Sequence, residues 1–199
     1  MCSQRSLALV ITGKFGDGCR NMARRYRIEG SIFYITSNIY SRICIFTRPS
    51  FIIPIIDSLN YYRYQYACKL LGYVIMPDHI HLLIWPQDTQ IVTAFMRDLK
   101  RFTSGRITRQ AKLEGKVDWV KQFEEAGNET SRADCKVWQD SFWEQSIYTQ
   151  EFLEQKLNYI HLNPVRAGLC AVPEEYPYSS FRNYYLHDDQ LIEIDNKWD

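Results

Sequence analysis

Residues 73–85 read YVIMPDHIHLLIW, two apolar runs on either side of a Pro77-Asp78 break. The break is too short for a crossover, so residues 69–76 and 79–85 read as an antiparallel hairpin. The second strand opens His79-Ile80-His81. Side chains at i and i+2 leave the same face of a strand, so both imidazoles share one side and Ile80 takes the other. That is a two-ligand start to a metal site. On spacing alone it competes evenly with two histidines that cap a strand end. Asp78 either orients an imidazole or stabilises the turn, and the turn is the preferred reading.

A second element must supply what two imidazoles lack. A divalent ion bound by histidine still needs oxygen partners, a chemistry suited to Mg, Mn or Zn. Residues 152–165, FLEQKLNYIHLNPV, place Phe152, Leu153, Lys156, Leu157, Ile160 and Leu162 at helical spacing, with a stop expected before Pro164. Tyr159 and Asn163 are four apart and share a face of that helix. One brings a phenol, the other a carbonyl oxygen, although Asn163 also reads as a helix cap. His161 lies about 200° round from Tyr159 and faces away.

MPDHIHLLI, FWEQSIY, KLNYIHLNPVRAGL and YPYSSFRNY, in that order, resemble the single-tyrosine, His-hydrophobe-His transposases, in particular their REP-associated tyrosine branch. The resemblance covers about residues 22–185. It implies a metal-dependent single-stranded DNA endonuclease and strand transferase acting at hairpin or repeat DNA. Tyr159 would attack a phosphodiester, form a 5′-phosphotyrosine and release a 3′-OH. His79, His81 and Asn163 would hold Mg²⁺ or Mn²⁺, and Glu144 matches an acidic or amide position near the family's site. The YPYSS motif is expected to pack or touch DNA. A monomer is favoured over a homodimer that exchanges its tyrosine helices.

Outward from these motifs, 199 residues with 46% apolar and 15% aromatic composition suit one domain. Residues 22–185 are taken as that domain, 1–21 as a flexible leader or start-site extension, and 186–199 as an acidic tail. No apolar run approaches the roughly 18 to 20 residues of a membrane span. Six cysteines without a C-x-x-C pair signal neither zinc knuckle nor disulfide frame, and read as thiols of a cytoplasmic protein.

The net charge is only +1, yet residues 97–121 carry eight basic against three acidic side chains. Residues 91–113 read as a helix whose stripe is Ile91, Phe95, Leu99 and Phe102. Arg97, Lys100, Arg101 and Arg106 fall elsewhere around it. A solvated face is the usual meaning of such a run. Beside a nuclease-like site it reads as a DNA-backbone contact, with Arg166 past the catalytic face as another.

Residues 31–37 alternate as a strand, 49–66 form a helix with Pro54 set against its first turn, 114–136 read as a loop or insertion, and 137–148 read as a strand. Trp138, Phe142 and Trp143 are taken as core rather than base-stacking side chains. The expected architecture is α+β: a ferredoxin-like antiparallel sheet of four to five strands with helices packed on one face. Two rivals share these residues. A catalytically idle DNA or RNA hairpin-binding module would use the same sheet and basic helix. A small-phosphoester hydrolase would leave Tyr159 unexplained.

Overall fold

The computed structural model describes residues 30–130, apart from the side chains of 129 and 130, and residues 134–195. The leader read at 1–21 lies outside them. Four strands form one antiparallel sheet: β1 (Ile32–Asn38), β2 (Cys68–Met76), β3 (His79–Pro86) and β4 (Trp143–Ile147), in the order β2-β3-β1-β4. The crossovers run through α1 (Pro49–Gln65) and α2 (Val92–Leu113). This is the ferredoxin-like arrangement expected from the sequence.

Register sets the site. Met76 pairs with His79 across the hairpin, and β3 pairs with β1 so that Thr36 lies opposite His81 and Asn38 opposite His79. On the other side of β1, Tyr34 faces Gln145 and Thr36 faces Trp143. Opposed residues share a face of the pleat, so Tyr34, Thr36, His79, His81 and Trp143 all leave one side.

The other side carries the larger core. Phe33, Ile35, Leu82 and Ile84 pack there with Phe51, Ile52, Ile55 and Leu59 of α1 and Val92, Phe95, Met96 and Leu99 of α2. Proline at the first turn of α1 suits a helix start, and the helix continues through Pro54, whose carbonyl accepts from the Ser58 hydroxyl at 2.6 Å. Phe102, expected in the buried stripe of α2, is 44% exposed and lies under the Arg106 guanidinium. Thr103 and Ile107 continue the buried side instead.

Residues 114–136 are a second departure from expectation. A helix, α3 (Val117–Thr130), occupies most of them. Phe123 and Ala126 are fully buried, and the Trp119 ring meets Phe51 edge-on at 5.5 Å. The spacing of Trp119, Phe123 and Ala126 is helical. Polar neighbours with Gly127 and Asn128 masked it.

The face of the larger core is covered by α1 and α2. The opposite face, the one that carries the histidines, is covered by α4 (Gln150–Arg166), so helices pack on both faces of the sheet and not on one as expected. The Thr149 hydroxyl accepts from the Phe152 N–H at 3.2 Å and starts that helix. Leu153 and Ile160 bury against Tyr34, Leu71, Val74, Met76 and Leu83. Gly72 makes the approach possible, since a Cβ there would lie 2.8 Å from Leu157 Cδ1. The helix does not stop at residue 163. It passes through buried Pro164 to Arg166 and ends at Gly168, whose φ of +70° is easy only for glycine. Asn163 is therefore within the helix, its carbonyl accepting from Ala167.

Two later segments cover the free edge of β2. In the YPYSS motif, Tyr178 O accepts from Ile75 N, Ser180 N donates to Tyr73 O, and Tyr176 donates its hydroxyl proton to Ile75 O at 2.6 Å. Pairing of this kind removes an exposed strand edge. Farther on, Ile192 and Ile194 enter the core and Asp195 accepts from Leu70 N while pairing with Arg63 at 2.5 Å. The stretch read as an acidic tail is packed through residue 195.

Candidate active site

His79 and His81 leave β3 on one face and turn their Nε2 atoms toward each other, 3.1 Å apart. Their Nδ1 atoms are held from behind. Asp78 accepts the Nδ1 proton of His79 at 2.5 Å, leaving Nε2 as the lone-pair nitrogen. The Tyr34 hydroxyl and Thr36 Oγ1 both lie 2.8 Å from Nδ1 of His81. Burial lowers the pKa of both histidines. His81 falls to about 3, with His79, Arg42 and Lys156 adding to the effect. Both rings are accordingly neutral at pH 7, the state in which imidazole binds metal.

Asp78 therefore does more than shape the turn. Its second oxygen takes Arg42 Nε at 2.8 Å, and Arg42 also reaches Asn38 Oδ1. Arg42 arrives from a left-handed turn in which Ser41 and Arg42 have φ of 51° and 56°. Such backbone is uncommon without glycine and persists where neighbours hold it, here the ion pair and the Asn38 contact.

Tyr159 projects from α4 over the same spot. Its ring stands edge-on to His81 at 5.5 Å and to Tyr34 at 6.1 Å, and the Arg166 guanidinium lies 5.4 Å from its centre. Tyr159 is 39% exposed, whereas Tyr34 is buried. Together with Thr36, Asn38, Arg42, Trp143 and Lys156 they line an open cleft of about 530 Å³. His161, one residue past Ile160, is buried on the far side of α4 with Nε2 3.0 Å from Ser180 Oγ.

Six cleft residues, Tyr34, Thr36, Asn38, Arg42, Trp143 and Lys156, were not picked as site residues from the sequence. Lys156 has its ammonium 4.7 Å from the Tyr34 ring, and burial lowers its pKa. Its i,i+3 spacing to Tyr159 was the available signal. Trp143, assigned to the core, is half-exposed in the cleft, while Trp138 is indeed buried with its indole N–H on Thr103 Oγ1 at 2.9 Å. Glu144 pairs across from Ile35, so the pleat turns it away from Tyr34 and Thr36.

The two imidazoles fit a divalent cation. Nitrogens about 2.1 Å from a shared ion and roughly at right angles stand about 3 Å apart, close to the separation seen. Among the described residues no group of three or more His, Cys, Asp and Glu forms a metal cage, so an ion at the two imidazoles would need amide, water or substrate oxygens as well. Asn163 is half-buried one turn beyond Tyr159 and is not among the cleft-lining side chains.

The cations of α2 divide. Arg97 and Arg101 are exposed beside Asp98, at 2.8 and 3.7 Å, and Arg106 stacks on Phe102. Lys100 is different. Its ammonium donates to the carbonyls of Gln139 and Ser141, and burial lowers its pKa to about 8. It fastens α2 to the segment before β4.

A ferredoxin-like sheet whose paired histidines face an exposed tyrosine across one cleft defines a protein of the single-tyrosine transposase class. The chain belongs to the IS200-like transposase family, described as Transposase IS200 like, which matches residues 40–163. That span runs from the Arg42 turn through both histidines to Tyr159 and Asn163. The chain is 32% identical over 146 residues, 69% of this chain and 74% of the relative, to a Haemophilus influenzae protein assigned to the REP-associated tyrosine transposases. It is 23% identical over 164 residues, 79% of this chain and 81% of the relative, to the REP-associated tyrosine transposase of Escherichia coli K12. A solved structure of a REP-associated tyrosine transposase bound to a REP hairpin shares the fold. Its TM-score is 0.55 at 18% identity, covering 89% of this chain and 94% of that one.

Proposed function

We propose that this chain is a metal-dependent single-stranded DNA endonuclease and strand transferase that cuts at hairpin or repeat DNA through a 5′-phosphotyrosine on Tyr159. The observation that carries this reading is the 5.5 Å edge-on approach of the Tyr159 ring to His81, whose Nε2 faces that of His79. Hairpin DNA as partner is supported by the REP hairpin bound to the related structure.

A divalent cation, Mg²⁺ or Mn²⁺, held by His79 and His81 would polarise a nonbridging oxygen of the scissile phosphate; Asn163, outside the cleft lining, would have to turn its amide inward to join them. The protein's own part is positioning. Asp78 and the Tyr34–Thr36 pair fix the ring orientations of His79 and His81. Tyr159 Oη attacks phosphorus, the P–O3′ bond breaks, and the phenolic proton passes to solvent in the open cleft. The freed 3′-OH can later attack the phosphotyrosine and restore the phenol, so strand transfer needs no nucleotide energy source.

Arg166, beside Tyr159, is the proposed backbone contact at the cleft. Arg97, Arg101 and Arg106 lie on α2 across the sheet from it and would meet only DNA that extends past the cleft, and Lys100 is kept for structure. Because α4 packs on β2 and β3 of its own chain, the site is complete within one molecule, which supports a monomer. Among the described residues no helix is long and apolar enough to cross a membrane, and a cytoplasmic, nucleoid-associated setting suits a DNA substrate.

The test is incubation of purified protein with labelled single-stranded hairpin DNA and Mg²⁺ or Mn²⁺, resolved on a denaturing gel. A protease-sensitive covalent band, lost in Tyr159→Phe, in His79→Ala and with chelator, is the expected result. Binding without cutting or linkage would instead favour the idle hairpin-binding module and end the role given to Tyr159.

A further inference from the structure

We propose that Trp143 and Lys156 form a nucleotide-gripping subsite beside the scissile phosphate, the indole stacking on an unpaired base and the ammonium holding that nucleotide's phosphate. The proposal rests on reading the cleft as a DNA-strand site, and names the substrate contact that the catalytic side chains lack.

Trp143 is the first residue of β4, the sheet's outer strand, and is 51% exposed while Trp138, five residues earlier, is 3% exposed. An indole left open in a polar cleft keeps apolar area in water that a stacked base would cover. It is held in place without being buried. Its ring meets the buried Tyr34 edge-on at 5.6 Å, and β4 pairs it with Thr36. A strand approaching the edge of the sheet meets this ring before reaching His81.

Lys156 shares the pocket. Its Nζ lies 4.7, 5.6 and 5.1 Å from the ring centres of Tyr34, Trp143 and Phe152. Among the described residues no carboxylate comes within ion-pair distance of it, whereas Arg42, the other cation lining the cleft, is paired with Asp78. A half-buried ammonium held only by ring faces is suited to an incoming anion. It stands one helical turn before Tyr159 on the same face of α4, so a phosphate reaching the phenol passes the ammonium.

The ligand class follows. Only an unpaired base offers a free face to the indole, and stacking accepts any base. The subsite therefore takes a single-stranded nucleotide of either base type, adjoining rather than within the hairpin stem.

The experiment measures anisotropy of labelled hairpin DNA with a single-stranded flank, using the full chain in EDTA so that Tyr159 stays intact and no strand is cut. An abasic nucleotide is walked along the flank. At one position it should weaken wild-type binding about tenfold, with no such loss in Trp143→Ala and with the loss retained in Trp143→Phe. Lys156→Gln should lower the slope of log K against log salt by about 0.7, and Lys156→Arg should restore it. An abasic profile identical in wild type and Trp143→Ala, or an unchanged salt slope in Lys156→Gln, overturns the subsite. The covalent-band assay is read separately. Coupling without a covalent band keeps the subsite and removes the nuclease, whereas a band without coupling removes the subsite alone.

Discussion

The rings of Tyr159 and His81 meet edge-on at 5.5 Å although 78 residues separate them, and both belong to one chain. Leu153 and Ile160 on α4 bury against that chain's own sheet and hold the approach. A mixture of Tyr159→Phe and His81→Ala proteins should therefore form no covalent DNA adduct. Recovery of the adduct on mixing, read on a denaturing gel, would mean that helices exchange between molecules.

Asp78 is expected to act through His79. Asp78→Asn keeps the side chain's shape but weakens the hold on the Nδ1 proton. Apparent affinity for Mn²⁺, measured by metal titration of adduct formation, should fall about 10- to 100-fold while the melting temperature changes little. An unchanged metal requirement would return Asp78 to a turn residue.

Lys100 and Arg101 are neighbours in sequence with different fates. Lys100→Met strips two carbonyls of their donor and should cost about 1 to 3 kcal/mol in urea denaturation, leaving the salt dependence of hairpin binding as it was. Arg101→Ala should do the reverse: stability near wild type, with a salt slope reduced by about 0.9 per lost phosphate contact.

Phe123 tests the helix in the region read as a loop. It is fully buried under α1 and α2, so Phe123→Ala should cost about 3 to 5 kcal/mol. A change within about 0.5 kcal/mol, the range of surface positions, would show that α3 is not seated.

His161 gives the protein an acid-sensitive core contact. Burial lowers its pKa to about 4 from 6.5, so the unfolded chain takes up the proton first as pH falls. Stability should drop from about pH 6.5 down to about pH 4 and level off below, a loss on the order of 3 kcal/mol from this group. The lowered pKa values of His79 and His81 act in the same direction. Urea melts at pH 7.5 and 4.5 should show a smaller difference in His161→Gln; an equal difference would place the effect elsewhere.

Much of the scaffold was legible because its signals are local. Alternation in β1, the two apolar runs of the hairpin and the helical period before Tyr159 each need only neighbours in sequence. Placing both imidazoles on one face followed from the period of a strand, and turning His161 away followed from the period of a helix. The failures were also local: Gly127 and Asn128 obscured α3, and Pro164 was read as a stop although burial against the sheet holds the helix through it.

The sequence by itself determined which residues share a face, because backbone periodicity depends on covalent geometry alone: His79 with His81, Tyr159 with Asn163 and Lys156. Only the tertiary structure decided which of those faces meet. Register between β1 and β3 brought Thr36 and Tyr34 behind His81, the packing of Gln139 and Ser141 took Lys100 out of the basic surface, and the turn at Arg42 recruited Asp78. These contacts join residues far apart in the chain, and their energy depends on burial and distance that no local pattern encodes.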